Sequence, residues 1–418
     1  MGVVDAQRGL PAAPRRTRTL VPHPPALRDA PAPRAILVEG DPPAIRQVGS
    51  LDSPDPRGDP GGVTDVDVVV VGGGAMGSAA AWQLASRGVE VVLLERFARG
   101  HVFGASHGAS RIFRLVYPDP VYVRFAAEAL ALWRELGAGL LTETGGVDHG
   151  DITGLPEALA AAGSPGEVLP ADAARERWPG LRFDGDVFFH PRSGRLHADR
   201  AVDLLQDLTT ALGGVVRHET PVLGLRVGDR VEVVTHQEVY RARRVVVAVG
   251  AWTAKLLDGL VALPPLTVTQ EQPAHFAPVD ATEWPAFIHR RPGAVYGLAT
   301  PGEGIKVGAH GGGPVVDPDA RDFRPEAGRL AALRQYAREW LPGVDPDDFA
   351  PISCTYTSTP DSDFVLDRNG PLVLAAGFAG HGFKFVPAVG RVLADLATSG
   401  PGGDRRFAAD IPGRTGKT

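Results

Sequence analysis

The sequence is poor in cysteine, in excess positive charge and in long apolar runs. Cys354 is the single cysteine among 418 residues, which excludes a disulfide framework and a zinc site built on cysteines. The formal net charge of −6 provides no basic surface to attract nucleic acid. No apolar run approaches the length of about 20 residues that crosses a bilayer, and no His, Asp or Glu cluster has metal-ligand spacing. These absences favour a cytoplasmic protein with no nucleic acid, membrane or metal partner.

Residues 1–62 have a composition of their own. They contain 12 of the 38 prolines and eight arginines, but no Lys, Phe, Tyr or Trp. Such a segment buries too little apolar surface to offset the entropy lost on ordering, so it is predicted to be disordered. Arg15-Arg16 is not followed by the apolar stretch of an export signal. We expect a dispensable extension, with a regulatory or partner-binding tail as the alternative.

A glycine fingerprint follows this extension. The motif Gly72-x-Gly74-x-x-Gly77 comes directly after a predicted buried strand (67–71) and leads into a predicted helix (78–87). In this pattern the first glycine makes a tight turn and the second lets the backbone approach a pyrophosphate. The third lets the helix pack closely on the strand. The motif therefore predicts a nucleotide-binding βαβ unit.

An acidic residue lies at the end of the second strand, where a nucleotide-binding βαβ unit contacts the ribose. Glu95 ends the second predicted strand (89–94) and lies 23 positions after Gly72. A carboxylate in that place can accept hydrogen bonds from both ribose hydroxyls of an adenosine, and it would repel a 2′-phosphate. The unit therefore disfavours NADP, but it does not separate FAD from NAD.

Two further apolar strands, 245–249 and 372–376, also run into glycines. Since ligands bind beyond the carboxyl ends of parallel strands, they predict an α/β (mixed α+β) fold with a Rossmann-like nucleotide-binding domain. The chain between them must form an inserted, β-sheet-rich substrate domain.

Local predictions include a loop at 97–118 and a short strand at 238–240. The predicted boundaries are 63–147, 195–255 and 350–405 for the nucleotide-binding domain, 148–194 and 256–349 for the substrate domain, and 406–418 for a tail.

Four other motifs occur along the chain in a recognisable order. They are Gly104–Arg114 (GASHGASRIFR), Gly250–Trp252 (GAW), Cys354–Thr357 (CTYT) and Gly380–Lys384 (GHGFK). Together they resemble the monomeric sarcosine oxidase and N-methyl-tryptophan oxidase family, which belongs to the D-amino-acid-oxidase-like flavoproteins. The resemblance extends over residues 65 to 405. It favours FAD over NAD as the nucleotide.

The resemblance implies a mostly monomeric FAD-dependent oxidase of a secondary amine, either an N-methyl or a cyclic amino acid. Hydride passes to the flavin, O₂ is reduced to H₂O₂, and the imine product is hydrolysed. Cys354 matches the covalent attachment point of the flavin. Arg111 matches a basic residue near the reactive flavin nitrogen, and Lys306 matches the site of oxygen activation. The residues that match the substrate pocket are Arg114 and Lys384 as the carboxylate-binding pair, together with His310, Tyr296 and Tyr356.

The same resemblance, combined with the fingerprint, implies which residues contact the cofactor. They are Gly72, Gly74, Ala75, Met76, Gly77, Glu95, Arg96, Ser106, His107, Gly250, Trp252, Cys354, Gly377, Gly380, His381, Gly382 and Phe383. One departure stands out in the first motif. Many family members carry His-His-Gly-Asp-Thr where this chain has Ser106-His107-Gly108-Ala109-Ser110. Without the acid at Ala109, we expect altered tuning at the flavin edge and a different substrate preference.

Physical reasoning about single residues leaves alternatives open. Strand alternation around Lys306 predicts that its side chain points away from Ile305 and Val307 and into a cleft, but a solvated lysine on an edge strand fits the sequence as well. Cys354 alone also fits a small buried apolar residue. The remaining candidates have structural alternatives, namely salt bridges or phosphate contacts for Arg111 and Arg114, and core packing for His107, His310 and His381.

Four functions remain to be distinguished. The first is the amine oxidase described above, with a small-molecule amine and O₂ as its partners. The second is an FAD-dependent amino-acid dehydrogenase that passes electrons to another acceptor. The third is an NAD-dependent dehydrogenase, which a yellow purified protein would exclude. The fourth is a flavin-binding scaffold that acts through residues 1–62.

Overall fold

The computed structural model describes residues 62–280, 283–398, 400, 403–411 and 414. Residues 1–61 lie outside this part of the chain, so the disorder predicted for the extension stays a prediction. The strands are β1 (Val63–Val71), β2 (Val91–Leu94), β3 (Ser110–Phe113), β4 (Leu141–Thr142), β5 (Gly146–Gly150), β6 (Glu167–Leu169), β7 (Val187–His190), β8 (Gly194–His197), β9 (Val215–Arg217), β10 (Gly224–Val227), β11 (Val231–Val234), β12 (Val239–Val247), β13 (Thr267–Glu271), β14 (Ala274–Pro278), β15 (Ala286–Arg290), β16 (Val295–Thr300), β17 (Gly304–Ala309), β18 (Val344–Pro351), β19 (Cys354–Ser358), β20 (Val365–Asn369) and β21 (Leu372–Ala376).

The helices are fewer and lie mostly around the first sheet and over the second. They are α1 (Ala75–Ala85), α2 (Pro120–Leu136), α3 (Leu155–Ala161), α4 (Ala171–Arg177), α5 (Ala198–Ala211), α6 (Thr253–Leu256), α7 (Ala327–Trp340) and α8 (Val386–Thr398). Short 3₁₀ helices span Gly250–Trp252, Phe383–Phe385 and Arg405–Phe407. None of the described helices is long and apolar enough to cross a bilayer.

The first sheet has eight strands and carries the fingerprint. Its main path is β10-β11-β12-β1-β2-β9, and β21 lies beside β12 with β20 at its outer side. The three strands predicted from apolar runs that end in glycine are neighbours here, because β1 and β21 both pair in parallel with β12. Val68 and Val70 pack into the core that includes α1 and α8, whereas Val69 and Val71 pack into a second core on the other face. The sheet is mixed, with a parallel part from β21 to β9 and antiparallel pairing of β10, β11 and β20, and the predicted Rossmann-like domain is confirmed.

The second sheet also has eight strands, in the order β18-β14-β17-β16-β15-β5-β7-β6. Its two faces differ because side chains alternate along each strand. Phe287, Val295 and Ile305 belong to a core that includes residues of α7. Ile288 and Tyr296, which are paired across β15 and β16, face the opposite way and line a cavity. The mixed α/β fold is thus confirmed, while the exact domain boundaries stay a prediction.

Two local predictions differ from the structure. The loop predicted at 97–118 contains strand β3, an edge strand of a three-stranded sheet in which β3 and β4 both pair with the central strand β8. The short strand predicted at 238–240 and the apolar strand from 245 form one continuous strand, β12. The charged stretch between them stays in the sheet because Arg241 pairs with Asp65 and Arg243 pairs with Asp67 on the adjacent β1.

Candidate active site

Two cavities meet between the two large sheets. The larger cavity has a volume of about 1270 Å³ and extends from the fingerprint and Glu95 to Cys354. The smaller cavity has a volume of about 900 Å³ and lies against the second sheet, with Lys306 in its wall. The residues that line both cavities are Arg111, Cys354, Tyr356, Gly380 and Phe383. Any molecule that reaches from one cavity into the other passes these side chains.

The fingerprint forms one end of the larger cavity. The chain turns at Gly72, which has a φ of +100°, and α1 begins three residues later. A Cβ atom on Gly77 would lie 1.9 Å from the Gly72 carbonyl oxygen, so only glycine lets the helix pack this closely on the turn. The N-cap residue of α1, Gly74, has no side chain that could cap the helix. The positive end of the helix is therefore directed at this end of the cavity.

Glu95 and Ser106 hold the fingerprint from two sides. The buried Glu95 carboxylate accepts hydrogen bonds from the Gly73 N–H at 2.6 Å and the Phe97 N–H at 2.9 Å. The Ser106 hydroxyl accepts one from the Ala75 N–H at 3.0 Å. Both side chains line the larger cavity. Since Ser106 belongs to the GASHGASRIFR motif, this bond connects the motif to the first turn of α1.

Arg111 fixes the shape of the loop that carries it. Its guanidinium donates to the carbonyl oxygens of Ala105 (2.8 Å), His107 (2.6 Å) and Ser110 (2.8 Å). Asp199 supports the same loop by accepting from the Gly108 N–H at 2.7 Å. Burial, followed by the charge of Arg111, lowers the pKa of His107 to about 3, so this imidazole is neutral at physiological pH. The loop therefore presents a single fixed cation, Arg111, to the junction of the cavities.

Lys306 is a buried cation in the wall of the smaller cavity. Strand β17 lies between β14 and β16, so the edge-strand alternative is wrong. The flanking Ile305 and Val307 belong to the core on the other face, and the Lys306 side chain is 6% exposed. Burial, with a smaller contribution from the charge of Arg111, lowers the pKa of Lys306 to about 7. Its charge therefore changes within the physiological pH range.

Arg114 and Lys384 lie together at one end of the smaller cavity. The Arg114 guanidinium stacks 4.2 Å from the ring centroid of Tyr117, and Lys384 Nζ lies 5.6 Å from the same centroid. Lys384 is 5% exposed, and its Nζ donates to the His381 carbonyl oxygen at 2.5 Å. Burial and the charge of Arg114 hold the pKa of Lys384 well below its ordinary value. Two cations so close together favour binding of an anion.

Tyr356 and Tyr296 form the adjoining wall. Burial raises the pKa of Tyr296 to about 12, and both tyrosines line the smaller cavity. A Cβ atom on Gly380 would lie 2.2 Å from the Tyr356 ring, and Gly380 has a φ of +72°, so the ring rests directly on a backbone turn that favours glycine. The His310 ring lies 5.5 Å from that of Tyr356, in the more exposed part of the cavity.

Cys354 begins β19 at the junction of the cavities. It carries a free thiol, with Sγ 4.0 Å from the Ala105 oxygen and 3.8 Å from the Thr355 oxygen. The buried Arg321 anchors the preceding residue by donating to Ser353 Oγ at 2.9 Å. Cys354 lines both cavities, so its thiol is reachable from each of them. This placement does not fit the alternative, a small buried apolar residue.

The comparisons with known proteins agree with this geometry. A family model described as FAD dependent oxidoreductase matches residues 67–396. The chain belongs to this family of FAD-dependent oxidoreductases. It is 35% identical to a monomeric sarcosine oxidase of Bacillus sp. (strain NS-129) over 363 residues, which cover 81% of this chain and 94% of that protein. It is 31% identical to an N-methyl-L-tryptophan oxidase of Yersinia pestis (strain Pestoides F), with 81% and 96% covered.

A solved structure gives the same result for the fold. The open form of NikD, described as an unusual amino acid oxidase essential for nikkomycin biosynthesis, has a TM-score of 0.75 and 31% sequence identity. The match covers 83% of this chain and 98% of that one. The resemblance inferred from the four motifs is therefore confirmed at the level of the family, and FAD is the cofactor.

The wall of the larger cavity suits the FAD that this oxidoreductase family uses. It combines the uncapped helix end at Gly74, which suits a pyrophosphate, with the buried acid Glu95, which suits a ribose. Its volume of about 1270 Å³ exceeds the about 300–1,000 Å³ typical of small-ligand pockets. An extended dinucleotide needs this additional space.

Fifteen of the 17 predicted cofactor residues line the larger cavity, and the exceptions are Gly77 and His381. Gly77 serves helix packing instead. His381 lines the smaller cavity, where its ring packs 4.7 Å from Phe364 and its Nε2 lies 3.2 Å from the Ser362 oxygen. All seven residues predicted for catalysis and substrate binding line the smaller cavity. They are Arg111, Arg114, Tyr296, Lys306, His310, Tyr356 and Lys384.

Sequence reasoning missed three residues of the oxidoreductase's two cavities. Asp319 accepts hydrogen bonds from Trp252 Nε1 and Arg96 Nη1, both at 2.8 Å, and no local motif marks it. Tyr117 was missed because its proximity to the two cations Arg114 and Lys384 depends on the fold. Arg290 also lines the smaller cavity, and strand alternation beyond Ile288 could have identified it.

Two buried histidines make the stability of this oxidoreductase sensitive to acid. Burial lowers the pKa of His149, which is 2% exposed, to about 3, and that of His275, which is 9% exposed, to about 4. Because the unfolded chain binds these protons near pH 6.5 and the folded chain does not, acidification favours unfolding. We expect these two histidines to lower the free energy of unfolding by about 3 kcal/mol between pH 7.5 and 5.5, and the buried His107 to add to this fall.

Urea unfolding at a series of pH values tests this prediction. The variants His149→Gln and His275→Gln serve as controls, since each should flatten the slope of stability against pH whatever it does to stability at pH 7.5. A free energy of unfolding that stays level or rises as the pH falls to 5.5 would contradict the prediction.

Proposed function

We propose that this chain is an FAD-dependent oxidase of a secondary amine that carries a carboxylate, such as an N-methyl or cyclic amino acid. The observation that supports it is the placement of the cation pair Arg114 and Lys384 in one cavity with Lys306, next to the cavity that suits FAD. Bound FAD supplies the acceptor for a hydride from the amine carbon. The imine product then takes up water, which for an N-methyl substrate gives a primary amine and formaldehyde.

Substrate binding is the task of the residues around Tyr117. The planar guanidinium of Arg114 can donate two parallel hydrogen bonds to a carboxylate, and Lys384 adds a third donor. Both cations lie against the Tyr117 ring, at 4.2 and 5.6 Å from its centroid. Gripping the carboxylate at this end directs the amine toward the junction lined by Arg111 and Tyr356, where the two cavities meet.

Lys306 and Arg111 supply charge at the reacting end. Both are positioned by backbone, Arg111 through three carbonyl oxygens and Lys306 through its place on a central strand. Fixed cations of this kind stabilise negative charge as it develops, without having to reorganise. A protonated Lys306 stabilises the superoxide-like charge that forms when O₂ takes up electrons, which is the reason to propose an oxidase and H₂O₂ as a product.

The cofactor itself is held by the larger cavity. We propose that the N-terminus of α1, from Gly74 to Met76, binds the pyrophosphate and that Glu95 binds the adenosine ribose. Ser106 and His107 line the stretch between this end and the junction, while Trp252 and Gly250 line the wall near Asp319. We also propose a monomer, as the name of the Bacillus relative suggests. The cytoplasmic location stays a prediction.

Anaerobic mixing tests the proposed function. Substrate that donates a hydride bleaches the yellow colour of the protein, so we expect bleaching by sarcosine or other N-methyl or cyclic amino acids. The matched controls are the corresponding methyl esters, which lack the carboxylate charge and should bleach the protein at least about 10-fold less efficiently. A protein that no secondary amino acid bleaches, or that esters bleach as well as acids, would contradict the proposal.

We further propose that the flavin is attached to Cys354, since Sγ lies at the wall shared by both cavities. A thioether bond replaces the S–H bond and one C–H bond of the flavin 8α methyl group, and O₂ takes up the two electrons and two protons released. Acid precipitation of the wild-type protein should therefore give a yellow pellet. The pellet of Cys354→Ala should be colourless, with the colour in the supernatant. Yellow supernatant from the wild type would contradict attachment.

A further inference from the structure

Arg290 lines the smaller cavity and has no part in the function proposed above. Arg290 ends β15, two residues after Ile288, so both side chains project from the same face of the second sheet. Tyr296 pairs with Ile288 in the adjacent strand, and all three line the smaller cavity. Arg290 is therefore a cavity residue by the same alternation that places Tyr296 there.

A buried chain of hydrogen bonds holds Arg290 in place. Its Nε donates to Asp148 Oδ1 at 2.5 Å, and Asp148 Oδ2 lies 2.8 Å from His190 Nε2. His190 Nδ1 in turn lies 2.5 Å from the hydroxyl of Ser193. Burial alone would raise the pKa of Asp148, but the His190 hydrogen bond and the charge of Arg290 hold it well below its ordinary value. Asp148 is thus a permanent anion that fixes the direction of the guanidinium.

The serine, histidine and aspartate are arranged like a hydrolytic triad, but access excludes that role. Ser193 is 1% exposed and lines neither cavity. A nucleophile without access to a substrate cannot act. The chain of bonds therefore serves to position Arg290, which is the one member that lines a cavity.

Part of the Arg290 guanidinium remains available to a ligand. The side chain is 22% exposed and lines the smaller cavity, and of its guanidinium nitrogens only Nε has a hydrogen-bond partner among the described residues. The exposed part of the guanidinium can therefore donate to a ligand oxygen. Three acids of the cavity pair with other arginines, Asp119 and Asp363 with Arg406 and Asp361 with Arg414. The fourth, Asp151, accepts from the Thr153 N–H.

We propose that Arg290 binds a second carboxylate, so that the cavity takes dicarboxylic secondary amines in which Arg114 and Lys384 hold one carboxylate and Arg290 holds the other. This inference rests on the proposed function for the amine, but the binding of two carboxylates does not depend on oxidation. Arg114, Lys384 and Arg290 all line the smaller cavity. Asp148 and His190 are positioning residues for the second site.

Ligand binding gives the first test, because it needs no turnover. Succinate carries two carboxylates, and its monoamide, succinamate, has the same length and shape with only one. Competitive displacement or calorimetry on the yellow wild-type protein should show succinate binding at least about 10-fold tighter than succinamate. Equal affinities for the two ligands would overturn the proposal.

Variants of Arg290 test whether this residue causes the preference for succinate over succinamate. Arg290→Gln should abolish the difference between succinate and succinamate, and Arg290→Lys should keep part of it. If Arg290→Gln fails to fold, the wild-type comparison and Arg290→Lys still decide the matter. Retention of the full preference by Arg290→Gln would overturn the assignment to this residue.

Oxidation separates the two proposals. We expect the wild type to oxidise N-methyl-L-aspartate at least about 10-fold more efficiently than N-methyl-L-asparagine, and Arg290→Gln to lose that ratio while it retains activity on sarcosine. If no amine is oxidised but the preference for succinate holds, the proposed function is wrong and the second carboxylate site stands. If sarcosine is oxidised but wild type binds succinate and succinamate equally, the second site is wrong and the proposed function stands.

Discussion

Replacing Lys306 by Met lowers the rate at which O₂ reoxidises the substrate-bleached protein by about 10²–10³-fold, the usual effect of removing one preorganised charge-stabilising group. Anaerobic bleaching by substrate changes only a few-fold, because Lys306 stabilises charge on oxygen and does not hold the carboxylate. The reason lies in its position, 6% exposed on a central strand with its ammonium group in the cavity wall. Stopped-flow measurement of the two half-reactions separates these effects.

Lys306→Arg is the matched control, since it keeps a cation on the same strand and should retain more of the oxygen reaction than Lys306→Met. The pH dependence gives a second check. Because the pKa of Lys306 is lowered to about 7, its ammonium form is lost as the pH rises. We expect the wild-type oxygen reaction to slow above pH 7 and the Lys306→Met reaction to lack this decline. An equal fall of both half-reactions in Lys306→Met would contradict the role in oxygen activation.

Replacing Arg114 by Gln lowers kcat/KM for an amino-acid substrate by about 10²-fold, mostly through KM. The change removes a bidentate donor and leaves Lys384, whose Nζ is already shared with the His381 carbonyl oxygen, as the remaining cation. It also removes the stacking of the Arg114 guanidinium on Tyr117 at 4.2 Å, so part of the loss in substrate binding comes from a less ordered Tyr117 ring. Steady-state kinetics with peroxide detection measure the effect.

The matching amine without a carboxylate is the control for Arg114. Its kcat/KM should be low in the wild type and nearly the same in Arg114→Gln, because the missing carboxylate and the missing guanidinium belong to the same interaction. Arg114→Lys should fall between the wild type and Arg114→Gln, since a lysine cannot donate two parallel hydrogen bonds. A loss for the decarboxylated amine as large as that for the amino acid would contradict carboxylate binding by Arg114.

Local patterns predicted the parts of the site that are built from consecutive residues. The fingerprint from Gly72 to Gly77 combines strand, turn and helix within a few positions, so its geometry follows from glycine conformations and apolar runs. Strand alternation correctly placed Lys306 on the face opposite Ile305 and Val307, because a two-residue period needs no knowledge of the neighbouring strands.

Parts of the site that depend on packing between distant segments could not be predicted in the same way. The ring of Tyr117 lies close to both Arg114 and Lys384, which are 270 positions apart in the sequence. Likewise, Arg290 and Asp148 come together only because β15 pairs in parallel with β5. The continuous strand β12 was missed because its arginines contact acids on a neighbouring strand, a compensation that composition alone does not show.

The most direct test of the central claim is the amount of H₂O₂ formed per substrate consumed in air. A secondary amino acid that bleaches the protein, such as sarcosine, is oxidised with limiting enzyme, and amine loss, O₂ uptake and peroxide are measured together. The proposed oxidase predicts one O₂ consumed and one H₂O₂ formed for each amine, with formaldehyde in the same amount. Bleaching that O₂ does not reverse, with turnover only when an artificial electron acceptor is added, would contradict it and favour a dehydrogenase.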